Sequence, residues 1–260
     1  YTWSAGQLAS LTTPGGKTLT YTRNGAGRIV RVDLTADGQT KTLAGNILYH
    51  PFGGWKSYTD GAGQVHNKGQ DQDGRPSSYT LGAQTWLLAY DVAGRITGQV
   101  DGGNAANSAS YTYDTVDRLT RAVLPNTQYN YGYDGTGNRT SQSAGSTTRT
   151  LTIDPASNRL TGLTNPAQSI AYDANGSVTQ DGSNQYAYDA RGRLTQATTA
   201  AGATTYQLNA LGQRIKKQNG STDTYYHYDP FGHLIAESDG SGKVVKEYIW
   251  LDDTPIAVLQ

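Results

Sequence analysis

The stretch Tyr90-Asp91-Val92-Ala93-Gly94-Arg95-Ile96-Thr97 decides the fold, because its pattern recurs along the chain. Tyr188-Asp189-Ala190-Arg191-Gly192-Arg193-Leu194-Thr195 repeats it closely, and with degenerate copies the pattern returns roughly every 20 residues, a spacing typical of tandem-repeat proteins. The structural repeat residues that we single out are Tyr90, Asp91, Gly94, Tyr113, Asp114, Tyr133, Asp134, Gly137, Tyr172, Asp173, Gly176, Tyr188, Asp189, Gly192, Tyr228, Asp229 and Gly232.

Each position of the repeat has a physical reason to be there. Asp at the first position of a type I turn accepts hydrogen bonds from backbone amides two residues further on. Gly at the fourth position tolerates a positive φ, which lets the chain return as a bulged hairpin. The pattern Asp-x-x-Gly therefore predicts a hairpin tip. The Ile or Leu after the tip is expected to pack across from the Tyr before it. On this interpretation Gly94→Val is damaging, whereas Arg95→Gln is nearly neutral, because an isolated surface charge contributes little.

The segments between the tips alternate with period two, as half-buried strands do. Tyr111 with Tyr113, and Tyr186 with Tyr188, place aromatic rings on one face of a strand. One hairpin alone is only marginally stable, so neighbouring hairpins must pair edge to edge. We therefore predict an all-β fold, a curved and spiralling antiparallel sheet built from tandem hairpins. Because no shift in composition divides it, residues 1–260 are expected to form one continuous array of about twelve repeats.

The composition excludes several classes of protein. Basic and acidic residues number 21 each, so the formal net charge is zero and clustered cations for binding nucleic acid are missing. The absence of cysteine excludes disulfides, thiolate metal sites and cysteine nucleophiles. No apolar run is long enough for a membrane-spanning helix. Because the chain begins at Tyr1, inside a structural pattern, and lacks methionine, we interpret it as a piece of a longer protein.

The pattern Tyr-Asp-x-x-Gly-Arg-Leu/Ile resembles the YD repeat of the RHS family. The stretch from Glu247 to Leu259 also resembles the segment just before that family's conserved core end. The resemblance implies a β-sheet that spirals into a hollow shell. For bacterial members it also implies a C-terminal toxin domain that is enclosed by the shell, cleaved from it and retained until delivery. Related proteins form the cocoon of insecticidal toxin complexes, and animal teneurins use a similar barrel in adhesion.

The chain departs from the self-cleavage signature of that family, which is a pair of Asp-Pro-x-Gly motifs. Asp229-Pro230-Phe231-Gly232 matches the first motif, and no second one follows. We therefore assign no catalytic residue and predict that the chain is not an enzyme. The adjacent carboxylates of Asp252 and Asp253 resemble a pair that shares a proton and acts as acid and base. A turn that continues into Thr254-Pro255 is the favoured interpretation of that pair.

Histidine and tryptophan supply the remaining candidate residues. No metal site and no cofactor is predicted, because the histidines have no cysteine to complete a ligand set and His50 stands where other copies have Asp. His227 and His233 flank one tip, which leaves open an approach across the strands. The tryptophans would be sugar-stacking platforms if exposed, but packing on the sheet faces is favoured. The residues concerned are His50, His66, His227, His233, Trp3, Trp55, Trp86 and Trp250.

We expect a non-catalytic structural module, a segment of a YD-repeat shell that encloses a C-terminal toxin, an effector or a partner polypeptide. The alternative is an extracellular adhesion module that binds carbohydrate or protein through exposed Tyr and Trp. Expected partners are the enclosed polypeptide or further repeats of the same shell, with a glycan and an edge-to-edge homodimer as further options. Nucleic acid and a membrane span are not expected. The expected location is the cell surface or the exterior, after delivery by a bacterial secretion system.

Overall fold

The computed structural model describes the whole chain, Tyr1–Gln260, and it is all-β, as the repeat predicts. The one helical element is a 3₁₀ turn at Ala105–Asn107, so no helix is long and apolar enough to cross a bilayer. The chain divides into two compact units. The first unit comprises Tyr1–Lys68 and Ala203–Gln260, and the second comprises Gly69–Gly202. That residues 1–260 form a single continuous array stays a prediction.

The chain forms 26 strands. The N-terminal run is β1 (Thr2–Ser4), β2 (Gln7–Thr12), β3 (Thr18–Arg23), β4 (Ile29–Ala36), β5 (Gln39–Tyr49), β6 (Trp55–Asp60) and β7 (Val65–Gln70). The second unit holds β8 (Pro76–Leu81), β9 (Gln84–Tyr90), β10 (Ile96–Asp101), β11 (Ala109–Tyr113), β12 (Leu119–Leu124), β13 (Thr127–Tyr133), β14 (Arg139–Ala144), β15 (Thr147–Ile153), β16 (Leu160–Leu163), β17 (Gln168–Tyr172), β18 (Val178–Asp181), β19 (Asn184–Tyr188) and β20 (Leu194–Thr199). The C-terminal run is β21 (Gly202–Leu208), β22 (Arg214–Asn219), β23 (Thr222–Tyr228), β24 (Leu234–Asp239), β25 (Val244–Leu251) and β26 (Thr254–Leu259).

Within each unit, consecutive strands pair in antiparallel fashion. The repeat sets the register: Tyr113 lies opposite Leu119, and Tyr188 lies opposite Leu194. This confirms that the aliphatic residue after a tip faces the tyrosine before it. The register shifts at each of these tyrosines, for example between Thr112 and Tyr113. A bulge at this place is what a hairpin with a left-handed residue at its fourth loop position produces.

The tip between β9 and β10 shows how the loop closes. The amide of Asp91 donates to the carbonyl of Arg95, and the amide of Gly94 donates back to the carbonyl of Asp91, both at 3.0 Å. Gly94 has φ +80°, a conformation that side chains with a Cβ rarely adopt. The same pair of bonds closes the tips at Asp71, Asp134, Asp173, Asp189 and Asp229. The sequence pattern and the loop geometry therefore correspond position by position.

The first unit has a buried apolar core, because β25 and the start of β26 pack against the N-terminal run of strands. Trp55, on β6, donates from its indole to the hydroxyl of Thr254 at 3.0 Å. On β25, the nearly inaccessible carboxylate of Glu247 accepts from the amide of Gly15 at 2.8 Å and binds the Lys17 ammonium. The buried core cluster comprises Leu11, Leu19, Ile29, Val32, Leu43, Ala44, Ile47, Trp55, Tyr58, Ile249 and Leu251.

The second unit has no comparable core. Gly98, Asp101 and Ala122 are its only buried residues, and no second layer of its own strands covers either face. One face carries tyrosines that alternate with alanines across neighbouring strands. In this row Tyr111 faces Ala122, which faces Tyr129, which in turn faces Ala144. The small alanines leave room for the flanking rings, which are half-buried. The strands of this unit must therefore be held together largely by the hydrogen bonds of the sheet and by the contacts at the hairpin tips.

Candidate functional site

The aspartate of each tip organises its own loop. One carboxylate oxygen of Asp91 accepts from the amides of Ala93 and Arg95, both at 3.0 Å, and the other accepts from Nε of Arg95 at 2.7 Å. The backbone amide and the guanidinium of Arg95 hold the pKa of Asp91 below its usual range. At the tip of Asp134, which has Asn138 in place of Arg, hydrogen bonds led by the Asn138 amide lower the aspartate pKa to about 2.

The arginine after the tip reaches the next repeat. One terminal nitrogen of Arg95 donates to the carbonyl of Asp114 at 3.2 Å and to the carboxylate of Asp117 at 2.7 Å. Its guanidinium carbon lies 5.0 Å from the ring centre of Tyr113. Arg95 is therefore not an isolated surface charge, so the premise for expecting Arg95→Gln to be nearly neutral is wrong. The reason is that its partners lie about one repeat further along the chain.

The tyrosine of the next repeat completes the contact. The hydroxyl of Tyr113 donates to the carbonyl of Ile96, the residue directly after Arg95, at 2.7 Å. The same bond runs from Tyr49 to Ile29, Tyr90 to Pro76, Tyr133 to Leu119, Tyr172 to Leu160, Tyr188 to Val178 and Tyr228 to Arg214. We call the aspartate and arginine of one tip, together with the tyrosine of the next repeat, the repeat clamp.

The last repeat clamp has different residues in the same roles. His233 occupies the position of the arginine, and its two ring nitrogens lie 2.9 Å from carboxylate oxygens of Asp229 and Asp253. Its ring stacks on Trp250, with centres 4.6 Å apart. The indole of Trp250 donates to the carbonyl of Leu234 at 2.9 Å, as the tyrosine hydroxyl does elsewhere. The arginine clamps, such as that of Arg95, carry a permanent positive charge, whereas the charge of this clamp depends on pH.

Two opposing effects set the pKa of His233. Partial burial disfavours the protonated imidazole, whereas hydrogen bonds to the carboxylates of Asp253 and Asp229 favour it. The hydrogen bonds prevail, so the pKa of His233 lies above its usual value of 6.5. The clamp therefore becomes charged at a higher pH than a free imidazole would, and the imidazolium can donate to both carboxylates at once.

A pocket of about 380 Å³ lies beside this last clamp, within the first unit. Aromatic side chains form much of its wall, contributed by Trp3, Tyr21, Phe231 and Trp250. Trp3 is 55% exposed and Phe231 is 63% exposed, so apolar surface remains open to a ligand. The clamp residues Asp229, His233 and Asp253 also line the pocket. Aromatic surface and ionisable groups therefore meet in one cavity.

Acidic groups outnumber basic ones around this pocket. Asp252 and Asp253 form the two-residue turn between β25 and β26, which confirms the predicted turn, although Thr254 and Pro255 belong to β26 and do not continue it. Burial raises the pKa of Asp252 above its usual range; the positive charge of Arg23 opposes that rise, and the negative charge of Asp253 adds to it. The terminal nitrogens of Arg23 donate to the carbonyls of Gly27 and Leu8, at 2.8 and 3.3 Å. No hydrogen bond satisfies the Asp252 carboxylate.

Comparison with known families agrees with the repeat geometry. A family model described as the teneurin YD-shell matches residues 84–253, and a model described as the RHS repeat matches residues 3–40. The chain belongs to the YD-shell family. The resemblance to RHS and YD repeats that the sequence indicates is thereby confirmed.

Two curated relatives of this YD-shell chain are much longer than it. The tRNA3(Ser)-specific nuclease WapA of Bacillus spizizenii and the tRNA nuclease WapA of Bacillus subtilis strain 168 are each 34% identical over 128 residues. Each match covers 47% of this chain and 5% of the relative. The matched segment of the chain thus spans about one-twentieth of their length. The nuclease activity in their names is a property of those whole proteins.

Two solved structures share the YD-shell fold. The Photorhabdus luminescens Tc holotoxin pore matches with a TM-score of 0.71 and 18% identity, over 96% of this chain and 17% of that chain. The complex of TcdB2, TccC3 and Cdc42 matches with a TM-score of 0.70 and 20% identity, over 94% of this chain and 15% of that chain. At this identity the likeness shows the fold alone.

The other candidate residues do not come together in one site. His227 lies 2.9 Å from the Ser238 hydroxyl, whereas His233 contacts Asp229 and Asp253, so their contacts do not bring the two histidines together. His50 closes a degenerate tip through its backbone. No group of His, Asp and Glu side chains has a geometry that could hold a metal ion. Of the tryptophans, Trp55 is buried in the core.

Proposed function

We propose that this YD-shell chain is a wall segment of a larger shell that encloses a polypeptide. The observation that carries the proposal is the construction of the second unit. A single layer of strands, without a buried core, is held together from tip to tip by repeat clamps. Such a layer can be extended by adding repeats, because each repeat contacts chiefly its neighbours. Cohesion does not depend on a filled interior, so a cavity on one side of the layer is compatible with a stable wall.

The enclosed polypeptide is proposed to be a toxin or effector domain of the same longer protein. Two findings support this: the relatives are named as tRNA nucleases, of whose length the matched segment is only 5%, and the structural neighbours belong to a toxin complex. On this proposal the protein is secreted or delivered to the exterior. The chain itself is proposed to have no catalytic role, and its repeated Tyr, Asp and Gly residues are proposed to be structural. Repetition supports this, because a catalytic group is singular and a turn residue is not.

Protease protection in the full-length polypeptide that contains this chain tests the proposal. A matched pair of glycines occupies one tip: Gly137 has φ +94°, whereas Gly135 lacks a positive φ, and open space surrounds both. Gly137→Val strains the tip through its backbone, and Gly135→Val does not. We expect the polypeptide beyond the wall to resist protease in the wild type and in Gly135→Val, and to be cut faster in Gly137→Val. Equal and rapid cutting in all three would contradict enclosure.

An extracellular adhesion module is the second candidate function. The observation in its favour is the open aromatic surface of Trp3 and Phe231. Binding to a glycan array that is lost in Trp3→Ala, while Trp86→Ala retains it, would support carbohydrate adhesion. If no glycan on the array is bound, carbohydrate adhesion is contradicted.

A further inference from the structure

The last repeat clamp leaves space that other clamps fill. In three other copies, an arginine of the chain pairs with the aspartate of its own tip and faces the tyrosine ring of the next repeat, with distances from the guanidinium carbon to the ring centre of 4.7 to 5.0 Å. These pairs are Arg75 with Tyr90, Arg95 with Tyr113 and Arg118 with Tyr133. In the last copy the shorter His233 takes this position, and the pocket opens beside it.

The side chains around the pocket are of the same kinds as those that surround the arginines in these clamps. Asp229, Asp253 and Trp250 correspond to Asp91, Asp117 and Tyr113 of the Arg95 clamp. Asp252 adds a carboxylate that accepts no hydrogen bond, and Phe231 adds an exposed ring. A planar guanidinium pairs with carboxylates through parallel N–H donors and stacks on aromatic faces, which an ammonium does less well.

The charges facing the pocket favour a cation. Three aspartates, Asp229, Asp252 and Asp253, line it together with Arg23 and His233. Even with His233 protonated, the carboxylates exceed the cations by one. The terminal nitrogens of Arg23 are already bonded to backbone carbonyls, which keeps that guanidinium at the wall. The volume of about 380 Å³ is at the lower end of the range for small-ligand pockets.

We infer that the pocket beside the last repeat clamp binds an arginine side chain presented by a partner polypeptide. The incoming guanidinium donates to the Asp252 and Asp253 carboxylates, and its plane lies against the exposed aromatic wall. The pocket is formed by residues of the first unit alone. It does not depend on the enclosure of a polypeptide, so the two proposals can fail separately.

Titration with tripeptides, followed by nuclear magnetic resonance of the tryptophan indole N–H groups, tests the inference. The probe is acetyl-glycyl-arginyl-glycine amide, and the matched control carries citrulline, which has the same shape without the charge. The four tryptophans provide an internal control, because Trp3 and Trp250 line the pocket whereas Trp55 and Trp86 do not. We expect shifts confined to Trp3 and Trp250. The citrulline peptide is expected to bind about tenfold more weakly, because charge-assisted hydrogen bonds are lost. A lysyl peptide is expected to rank between the two.

Three variants sharpen the test. His233→Arg lets the chain supply its own guanidinium, so we expect the arginyl peptide to lose its effect while the protein stays folded. Asp252→Asn is expected to weaken binding about tenfold, because the unpaired carboxylate is removed. Asp37→Asn is the matched control. Its φ of 50° is almost that of Asp252, at 49°, and it lies in a similar tight turn away from the pocket. It is expected to bind as the wild type does.

The inference is overturned by any of the following outcomes. The first is equal binding of the arginyl and citrullyl peptides. The second is undiminished binding to His233→Arg. The third is a set of indole shifts that includes Trp55 and Trp86 as strongly as the pocket pair. If a panel of methyl pyranosides shifts Trp3 and the arginyl peptide does not, the pocket is a carbohydrate site and the arginine assignment is wrong.

Discussion

Tyr113 donates its hydroxyl hydrogen to the carbonyl oxygen of Ile96, 17 residues earlier in the chain, at 2.7 Å. That carbonyl directly follows Arg95, and the Arg95 guanidinium in turn faces the Tyr113 ring. Neighbouring repeats are therefore bonded in both directions, forward through the arginine and back through the tyrosine. A sheet without a core can be stable when each repeat is fixed to the next in this way.

Removing the Tyr113 hydroxyl isolates the backward bond. Tyr113→Phe leaves the carbonyl of Ile96 without its donor, so we expect the second unit to lose about 1 kcal/mol of stability. Tyr129→Phe is the control, because Tyr129 lies on the same face and its hydroxyl makes no hydrogen bond. Urea unfolding of the two variants measures the difference. Equal midpoints would show that the backward bond contributes nothing.

Replacing Arg95 removes the forward contacts. Arg95→Gln loses the ion pairs with Asp91 and Asp117 and the contact with the Tyr113 ring, so a loss of about 1–2 kcal/mol is expected. The solvent-exposed Arg191 occupies a tip without such partners, and Arg191→Gln is expected to change stability by less than about 0.5 kcal/mol. Amide hydrogen exchange at the tip of Asp114 should accelerate only in the first variant. Unchanged exchange there would contradict coupling between repeats.

The ion pair between Lys17 and Glu247 contributes to the first unit. Removing Lys17 leaves a nearly inaccessible carboxylate whose remaining partners are the amide of Gly15 and the hydroxyl of Thr13. We expect Lys17→Gln to cost about 2 kcal/mol, less than a fully buried pair would, because Lys17 is one-third exposed. Lys41→Gln, at an exposed position, serves as the control. Unfolding is followed by tryptophan fluorescence, to which the core residue Trp55 contributes. Indistinguishable transitions in the two variants would refute this role.

The last repeat clamp should make stability depend on pH. Because the pKa of His233 is raised above 6.5 in the folded state, its contribution is fully present below the unfolded value and is lost as the pH rises through the folded value. We therefore expect the thermal midpoint of the first unit to fall as the pH rises from 6 to beyond 7, and His233→Arg to remove this trend. A trend that persists in His233→Arg would assign the pH dependence to another group.

The local parts of this structure could be predicted from the sequence, and the long-range parts could not. Asp91 and Gly94 act within one five-residue loop, so residue type and spacing fix the tip. Arg95 was mistaken for an isolated charge because its partners lie in the next repeat. The regular placement of arginine after the tip glycine was the sequence feature that could have indicated a contact between repeats. Aligning the copies would also have shown His233 and Trp250 in the arginine and tyrosine positions. The packing of Ile249 and Leu251 against the N-terminal strands depends on how the sheet bends, which no local pattern specifies.

The most direct test of the shell account is site-specific photo-cross-linking in the full-length polypeptide that contains this chain. Neighbouring residues of β13 point to opposite faces: Tyr131 lies on the tyrosine-rich face, and the exposed Asn130 lies on the other. A photoreactive residue at position 131 is expected to cross-link to the enclosed polypeptide, because the half-buried rings need a cover, and one at position 130 is not. Cross-links from neither position, or equally from both, would contradict the claim that this chain is the wall of a shell.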